Sequence, residues 1–163
     1  MLIGVISDTH IPERAKDIPK AVMEEFSKVD MIIHAGDLVV LKVLDRLKEA
    51  CSDVRVVCGN MDDDDIRRMF PEKEVFQAEG RKIALMHGHG HPSQLLELMK
   101  REFKHEHPDM VIFGHSHSAF NEERDGIIYF NPGSPTDTVF ATYRSYGIIK
   151  LEDKKIEPRI VRI

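Results

Sequence analysis

Five short apolar runs in this chain end in residues that ligate metals: LIGVISDTH, MIIHAGD, VRVVCGN, IALMHGHGH and MVIFGHSH. Runs of this length, rich in β-branched and aliphatic residues, read as buried strands. Between them the apolar residues recur at helical spacing, so the chain is constrained to an α/β fold. In open α/β sheets the ligand site lies beyond the carboxyl ends of the strands. Asp8, His10, Asp37, Asn60, His87, His115 and His117 are therefore expected to converge on one rim, although they lie far apart in the chain.

The pattern predicts strands at the first run, at Met31 to His34, at Val54 to Val57 and at Val111 to Phe113. Glu74 to Ala78 and Arg81 to Met86 read as a hairpin turning at Glu79-Gly80. Helices are predicted around Ile18, Val22 and Phe26, and around Leu41, Leu44 and Leu47. A short one spans Met61 to Phe70, with Asp62 to Asp65 at its start, and another runs from Ser93 to Lys104. Beyond His117 the texture is β-rich: Ala119 to Arg124, Ile127 to Phe130, Tyr146 to Leu151 and Ile156 to Ile163. Repeated βα units followed by hairpins imply a four-layer α/β sandwich of two mixed β-sheets flanked by helices. At 163 residues the whole chain, 1–163, reads as a single domain.

Asp8 and His10 stand two apart, as do His115 and His117, and period-two alternation would point each pair to one side of an extended strand. Asp37 follows a glycine that permits a tight turn, and its two carboxylate oxygens could bridge two cations. Asn60 offers a neutral carbonyl oxygen. Imidazoles, carboxylates and one amide suit two divalent transition-metal ions, Mn²⁺ first, with Ni²⁺, Fe²⁺, Co²⁺ or Zn²⁺ also compatible; the lack of Cys ligands argues against a structural zinc site.

In order and context these residues resemble the calcineurin-like metallophosphoesterases, whose pattern is D-x-H, G-D, G-N, H and G-H-x-H. The matching segments are Asp8-Thr9-His10, Gly36-Asp37, Gly59-Asn60, His87 and Gly114-His115-Ser116-His117. The short length, the HAGD phrase, the HGH at His87 to His89 and the NPGS at Asn131 to Ser134 are most similar to the small, stand-alone phosphodiesterase branch. The resemblance implies one metal on Asp8, His10, Asp37 and His117, and another on Asp37, Asn60, His87 and His115, with Asp37 as the bridge. It implies phosphoester hydrolysis by a hydroxide bridging the two ions, with Asp37, Asn60 and His89 expected to carry the reaction. Many relatives have a histidine after the G-N asparagine to protonate the leaving group. Here that residue is Met61, so the substrate needs a good leaving group or another donor such as Asp62 or His89. Relatives often carry an arginine after the NPGS phrase, where this chain reads PTDTVF, leaving Arg14 or Arg144 as substitutes.

Other histidines admit plainer readings. His34 could orient Asp37 or be a satisfied core residue, and His105 and His107 fit a helix end near Pro108. A net charge of -5 argues weakly against nucleic acid as partner, and the family resemblance implies a small phosphoester as substrate. No apolar stretch reaches membrane-span length, the opening residues do not read as a signal peptide, and Cys51 and Cys58 read as reduced thiols in a cytoplasmic protein. The family resemblance implies a homo-oligomer, dimer or tetramer. A phosphomonoesterase and a non-catalytic protein-binding scaffold on the same fold, as in a retromer subunit, are the alternatives.

Overall fold

A computed structural model describes residues 1–163. Along the chain the elements are β1 (Leu2–Ile6), α1 (Lys20–Phe26), β2 (Met31–His34), α2 (Lys42–Ala50), β3 (Val54–Val56), α3 (Asp64–Met69), β4 (Lys73–Ala78) and β5 (Arg81–Met86). A 3-10 turn at Pro92–Gln94 leads into α4 (Leu95–Glu102), followed by β6 (Met110–Ile112), β7 (Phe120–Arg124), β8 (Ile127–Asn131), β9 (Ser145–Glu152) and β10 (Lys155–Arg162).

The strands form two five-stranded sheets. The first has the order β10-β9-β1-β2-β3, with β1, β2 and β3 parallel and β9 antiparallel to β1. The second has the order β4-β5-β6-β8-β7, parallel across β5, β6 and β8, with antiparallel hairpins at both edges. Both sheets are mixed, as expected.

Period-two alternation decides which layer each strand residue enters. Ile3 and Val5 of β1, Met31 and Ile33 of β2, Ile83 and Leu85 of β5, and Met110 and Ile112 of β6 close the core between the sheets. Residues one step along face outward. Ile6, Ile32 and Val56 pack with Val22 and Phe26 of α1 and Leu44 and Leu47 of α2. Ala84, Met86 and Val111 pack with Leu95, Leu98 and Met99 of α4. At 7 and 9 residues, α1 and α2 are too short to persist alone and are held by these contacts. Burial of each such side chain contributes roughly 1.5–3 kcal/mol, so the sandwich is the four-layer arrangement the sequence implied.

Two helices differ from expectation. The one after Asn60 begins at Asp64, because Asp63 caps it through its carboxylate to the Ile66 amide, and Asp62 lies outside it. The other, α4, stops at Glu102, so His105 and His107 lie beyond its last turn, where Lys100 and Arg101 face the helix C-terminus instead. Cys51 and Cys58 are free thiols.

Candidate metal centre

Parallel pairing sets the carboxyl ends of β1, β2 and β3 along one edge of the first sheet and those of β5 and β6 along one edge of the second. These edges adjoin, and five of the seven expected ligands meet there. Asp8, Asp37, His10, His87 and His117 are all buried. Asp8 Oδ1 lies 3.3 Å from His117 Nε2, 3.8 Å from His87 Nε2 and 3.9 Å from His10 Nε2. Asp37 Oδ2 lies 3.2 Å from His87 Nε2 and 3.4 Å from His10 Nε2. Two groups of donors close enough to share an ion result, Asp8 with His10 and His117, and Asp8 with Asp37 and His87.

The convergence does not come from strand alternation. Asp8, His10, Asp37, His115 and His117 all lie past their strand ends with left-handed backbones, at φ of 54, 42, 59, 69 and 55°. Asp, Asn and His tolerate this region better than other side chains, yet each such residue still costs of order 1–3 kcal/mol, and such positions cluster at functional sites. Two glycines make room for the cluster. A Cβ on Gly36, itself at φ +92°, would lie 2.6 Å from His87 Nδ1, and one on Gly59 would collide with the Asp37 carboxylate.

The hydrogen bonds show which face of each ring is free. His87 Nδ1 donates to the Ala35 carbonyl at 2.7 Å, and His117 Nδ1 is bound by the Asp137 carboxylate. In each ring Nε2 is left to face the carboxylates, the arrangement in which imidazoles bind metals. His87 Nε2 is buried and has no hydrogen-bond partner. No Lys or Arg pairs with Asp8 or Asp37, so imidazole is their only source of positive charge.

Burial pushes the His87 ring toward neutrality, but the Asp8 and Asp37 carboxylates outweigh it and raise its pKa to about 9. Burial likewise pushes Asp37 up, yet His87 and the Met61 amide pull it down to about 2. His10 moves the other way, lowered chiefly by burial. A site whose field draws a proton onto a buried imidazole is a site that draws cations, and the donor set fits divalent transition metals.

Asn60 and His115 stand at the outer rim. Asn60 is exposed, its Oδ1 lies 2.9 Å from His115 Nδ1, and His115 Nε2 contacts the Gly90 carbonyl at 2.8 Å. Both border the cleft that opens onto the cluster, together with Met61, Arg14 and Phe140. His89 is exposed and lines an adjoining cleft with Asn60, Arg67 and Glu72. Arg144 borders neither cleft. The two Asp37 oxygens differ in surroundings: Oδ1 accepts the Met61 amide at 2.7 Å, while Oδ2 faces the His10 and His87 imidazoles.

Four residues support the cluster in roles the sequence reading did not assign them. Asp62, one of four consecutive aspartates, is buried and accepts from the Asp37, Val39 and Gly59 amides at 3.0, 2.7 and 2.7 Å. It pins a segment in which Val39, a β-branched residue, sits at φ 78°. Asp137 lies fully buried behind His117, with burial opposing its ionisation and the amides of Val139 and Phe140, with His117, favouring it. Ser134 and Thr136 donate to the Asp8 and Thr9 carbonyls at 2.7 and 2.8 Å. The only sequence signal for Asp137 was an acid among small polar residues with no cation nearby. His34 is buried, held neutral by burial at a pKa of about 3, and lies 3.1 Å from the Thr9 hydroxyl rather than against a carboxylate.

The chain matches the family model of the calcineurin-like phosphoesterase superfamily domain over residues 1–154. It is 38% identical to a probable metallophosphoesterase of Methanothermobacter thermautotrophicus, covering 99% of this chain and 92% of that one. A solved archaeal phosphodiesterase superposes with TM-score 0.75 at 26% identity, covering 99% of this chain and all, 100%, of the other. Vacuolar protein sorting 29 of Entamoeba histolytica, solved with Zn²⁺, superposes with TM-score 0.75 at 26% identity and 99% coverage of both. With the two mixed sheets and the carboxylate and imidazole cluster at their joined edges, these likenesses lead to one conclusion: the chain belongs to the calcineurin-like phosphoesterase superfamily.

Proposed function

We propose that the chain is a metal-dependent phosphodiesterase that works with two divalent transition-metal ions, Mn²⁺ foremost, on small phosphoesters. The observation that carries this reading is the pair of donor groups overlapping at Asp8, each within reach of its own ion. Asp8, His10 and His117 would hold one cation and Asp37 and His87 the other, with Asn60 and His115 at the rim beside the second. Asp37, whose Oδ2 faces both His10 and His87, would contribute to holding both cations. When bound, such a pair of cations activates water and polarises the phosphoryl group.

The chain's own residues determine what else is possible. Asp137 fixes the His117 ring and the Ala35 carbonyl fixes that of His87, so the liganding nitrogens are oriented in advance. Met61 lines the cleft and has no proton to give a leaving group. Glu13 lies on the same rim and disfavours the second charge of a monoester dianion. Both favour a monoanionic diester with a stable leaving group. Similarity to an archaeal phosphodiesterase supports the same reading.

The test is to strip the protein with a chelator, restore Mn²⁺, and compare hydrolysis of an activated aryl phosphodiester with that of the matching monoester. Metal-restored turnover with diester ahead of monoester is expected. The reverse preference would assign a phosphomonoesterase. The likeness to vacuolar protein sorting 29 favours a second reading, a binding scaffold. Metal bound at full occupancy with neither ester turned over would favour it.

A further inference from the structure

The cleft above the metal cluster, about 370 Å³ in volume, carries features that ligating metals does not require. Phe140 is 67% exposed and Met61 49% exposed, both unusually open for large apolar side chains, and both line this cleft. The Phe140 ring sits edge-on to His117, with centroids 5.9 Å apart, and so stands directly beside a candidate ligand. Its position is built: Asp137, which holds His117, also accepts the Val139 amide at 2.6 Å and the Phe140 amide at 3.2 Å. One buried carboxylate therefore fixes the ligand and the exposed ring together.

Arg14 completes the arrangement. Its guanidinium lies 5.1 Å from the Phe140 ring centroid, and it forms no side-chain hydrogen bond or ion pair, although Glu13 is adjacent in sequence. By contrast Arg46, Arg55, Arg81 and Arg124 are all paired with carboxylates. An unpaired guanidinium stacked on an aromatic ring at the mouth of a metal cleft presents one cationic edge and one apolar face side by side.

We infer that this shelf selects phosphoesters bearing a planar aromatic substituent, with Arg14 pairing a phosphoryl oxygen while Phe140 and Met61 receive the aromatic ring. The inference rests on the phosphoesterase reading and names the substrate class of the same site. A flat substituent gains contact with an exposed ring and a thioether that a small alkyl group does not reach. It also ionises more readily as a leaving alcohol when attached as an aryl ester, which suits a cleft with no side-chain acid at position 61.

The test uses non-hydrolysable diester analogues, so binding is read independently of turnover. Diphenylphosphinate and dimethylphosphinate would be titrated calorimetrically into the Mn²⁺-loaded protein, with metal content confirmed for each variant. Wild type is expected to bind the diphenyl compound about tenfold more tightly. Phe140→Ala should reduce that ratio toward unity, and Phe140→Leu should leave an intermediate ratio. Arg14→Ala should weaken both compounds several-fold while keeping the ratio, and Arg14→Lys should recover part of the loss. Equal binding of the two compounds to wild type, or an unchanged ratio in Phe140→Ala, would overturn the inference. An intact preference without turnover of any ester would leave the shelf standing and sink the hydrolase reading instead. Hydrolysis of aryl and alkyl diesters with equal binding of the two phosphinates would do the opposite.

Discussion

The two sheets bring different chemistry to one site. The carboxyl ends of β1 and β2 supply both carboxylates of the cluster, Asp8 and Asp37, and so its whole negative charge. The ends of β5 and β6 supply His87, His115 and His117, which add no negative charge, and two of them, His87 and His117, are oriented by the Ala35 carbonyl and the Asp137 carboxylate. The edges are also tied together: His115 N donates to Asp8 Oδ2 at 3.1 Å, and His87 Nδ1 to the Ala35 carbonyl at 2.7 Å. The first sheet therefore sets whether cations are drawn in, and the second where they sit.

The largest test of that division is removal of a first-sheet carboxylate. Asp37→Ala should abolish two-metal occupancy and lower hydrolysis by at least about a thousandfold, because the carboxylate facing both His10 and His87, and half the charge of the cluster, go together. His117→Ala should cost less, loosening one ion and leaving the carboxylates in place. Metal stoichiometry by mass spectrometry beside kcat/KM would decide the order. If His117→Ala proved as damaging as Asp37→Ala, the division of labour between sheets would be wrong.

A second, smaller effect is expected behind the carboxylates. Asp62 accepts three buried or half-buried amides, and hydrogen bonds to a charged acceptor are worth roughly 1.5–3 kcal/mol each. Asp62→Ala should lower stability by about 3–5 kcal/mol, and Asp62→Asn, which keeps one acceptor oxygen, by less. Urea unfolding of the metal-free protein would measure both. A cost below about 1 kcal/mol for the alanine variant would show that Asp37 and Val39 hold their left-handed backbones without it.

These supports mark where the sequence stopped being legible. The strands were readable because apolar runs bounded by glycines leave few alternatives, and β2 and β5 fall where the pattern put them. The strand-end residues were legible because clusters of Asp, His and Asn recur at the ends of five apolar runs in one chain, where a single such cluster would read as an ordinary turn. Asp62 and Asp137 were not. Each lies in a polar stretch where a solvated or capping role is the ordinary outcome, and Asp63 does cap while Asp64 and Asp65 are exposed. Only long-range contact distinguishes Asp62 from its neighbours. Likewise, alternation placed Asp8 beside His10 for the wrong reason, since left-handed φ values do not announce themselves in residue type.

Behind a second-sheet histidine the corresponding change is Asp137→Asn, in the connection between β8 and β9. It removes the charge that fixes the His117 ring but keeps the side-chain size, so Mn²⁺ affinity should fall about 10- to 100-fold. The first-sheet cluster should still bind one ion. Calorimetric titration would show one weakened site and one nearly unchanged. Two equally weakened sites would mean that the two donor groups act as one unit.

The smallest effect is a pH slope that should reverse when metal is added. The His87 pKa is raised to about 9, so its pairing with Asp8 and Asp37 stabilises the metal-free protein fully below the unfolded value of 6.5 and is lost as pH rises through about 9. The Asp37 pKa is lowered to about 2 from 3.8, so its share is intact above 3.8 and is lost only as pH falls through about 2. Between pH 6.5 and 9 the metal-free melting temperature should therefore fall, with Asp37 contributing no slope. Metal binding needs His87 Nε2 without its proton, so the affinity rises over the same interval and the melting temperature with saturating Mn²⁺ should fall less or rise. Thermal melts across that range, with chelator and with Mn²⁺, would give diverging lines. Parallel lines would mean that the proton on His87 and the cation do not compete for the same carboxylates, and the first sheet would lose its claim to be the charge source of the site.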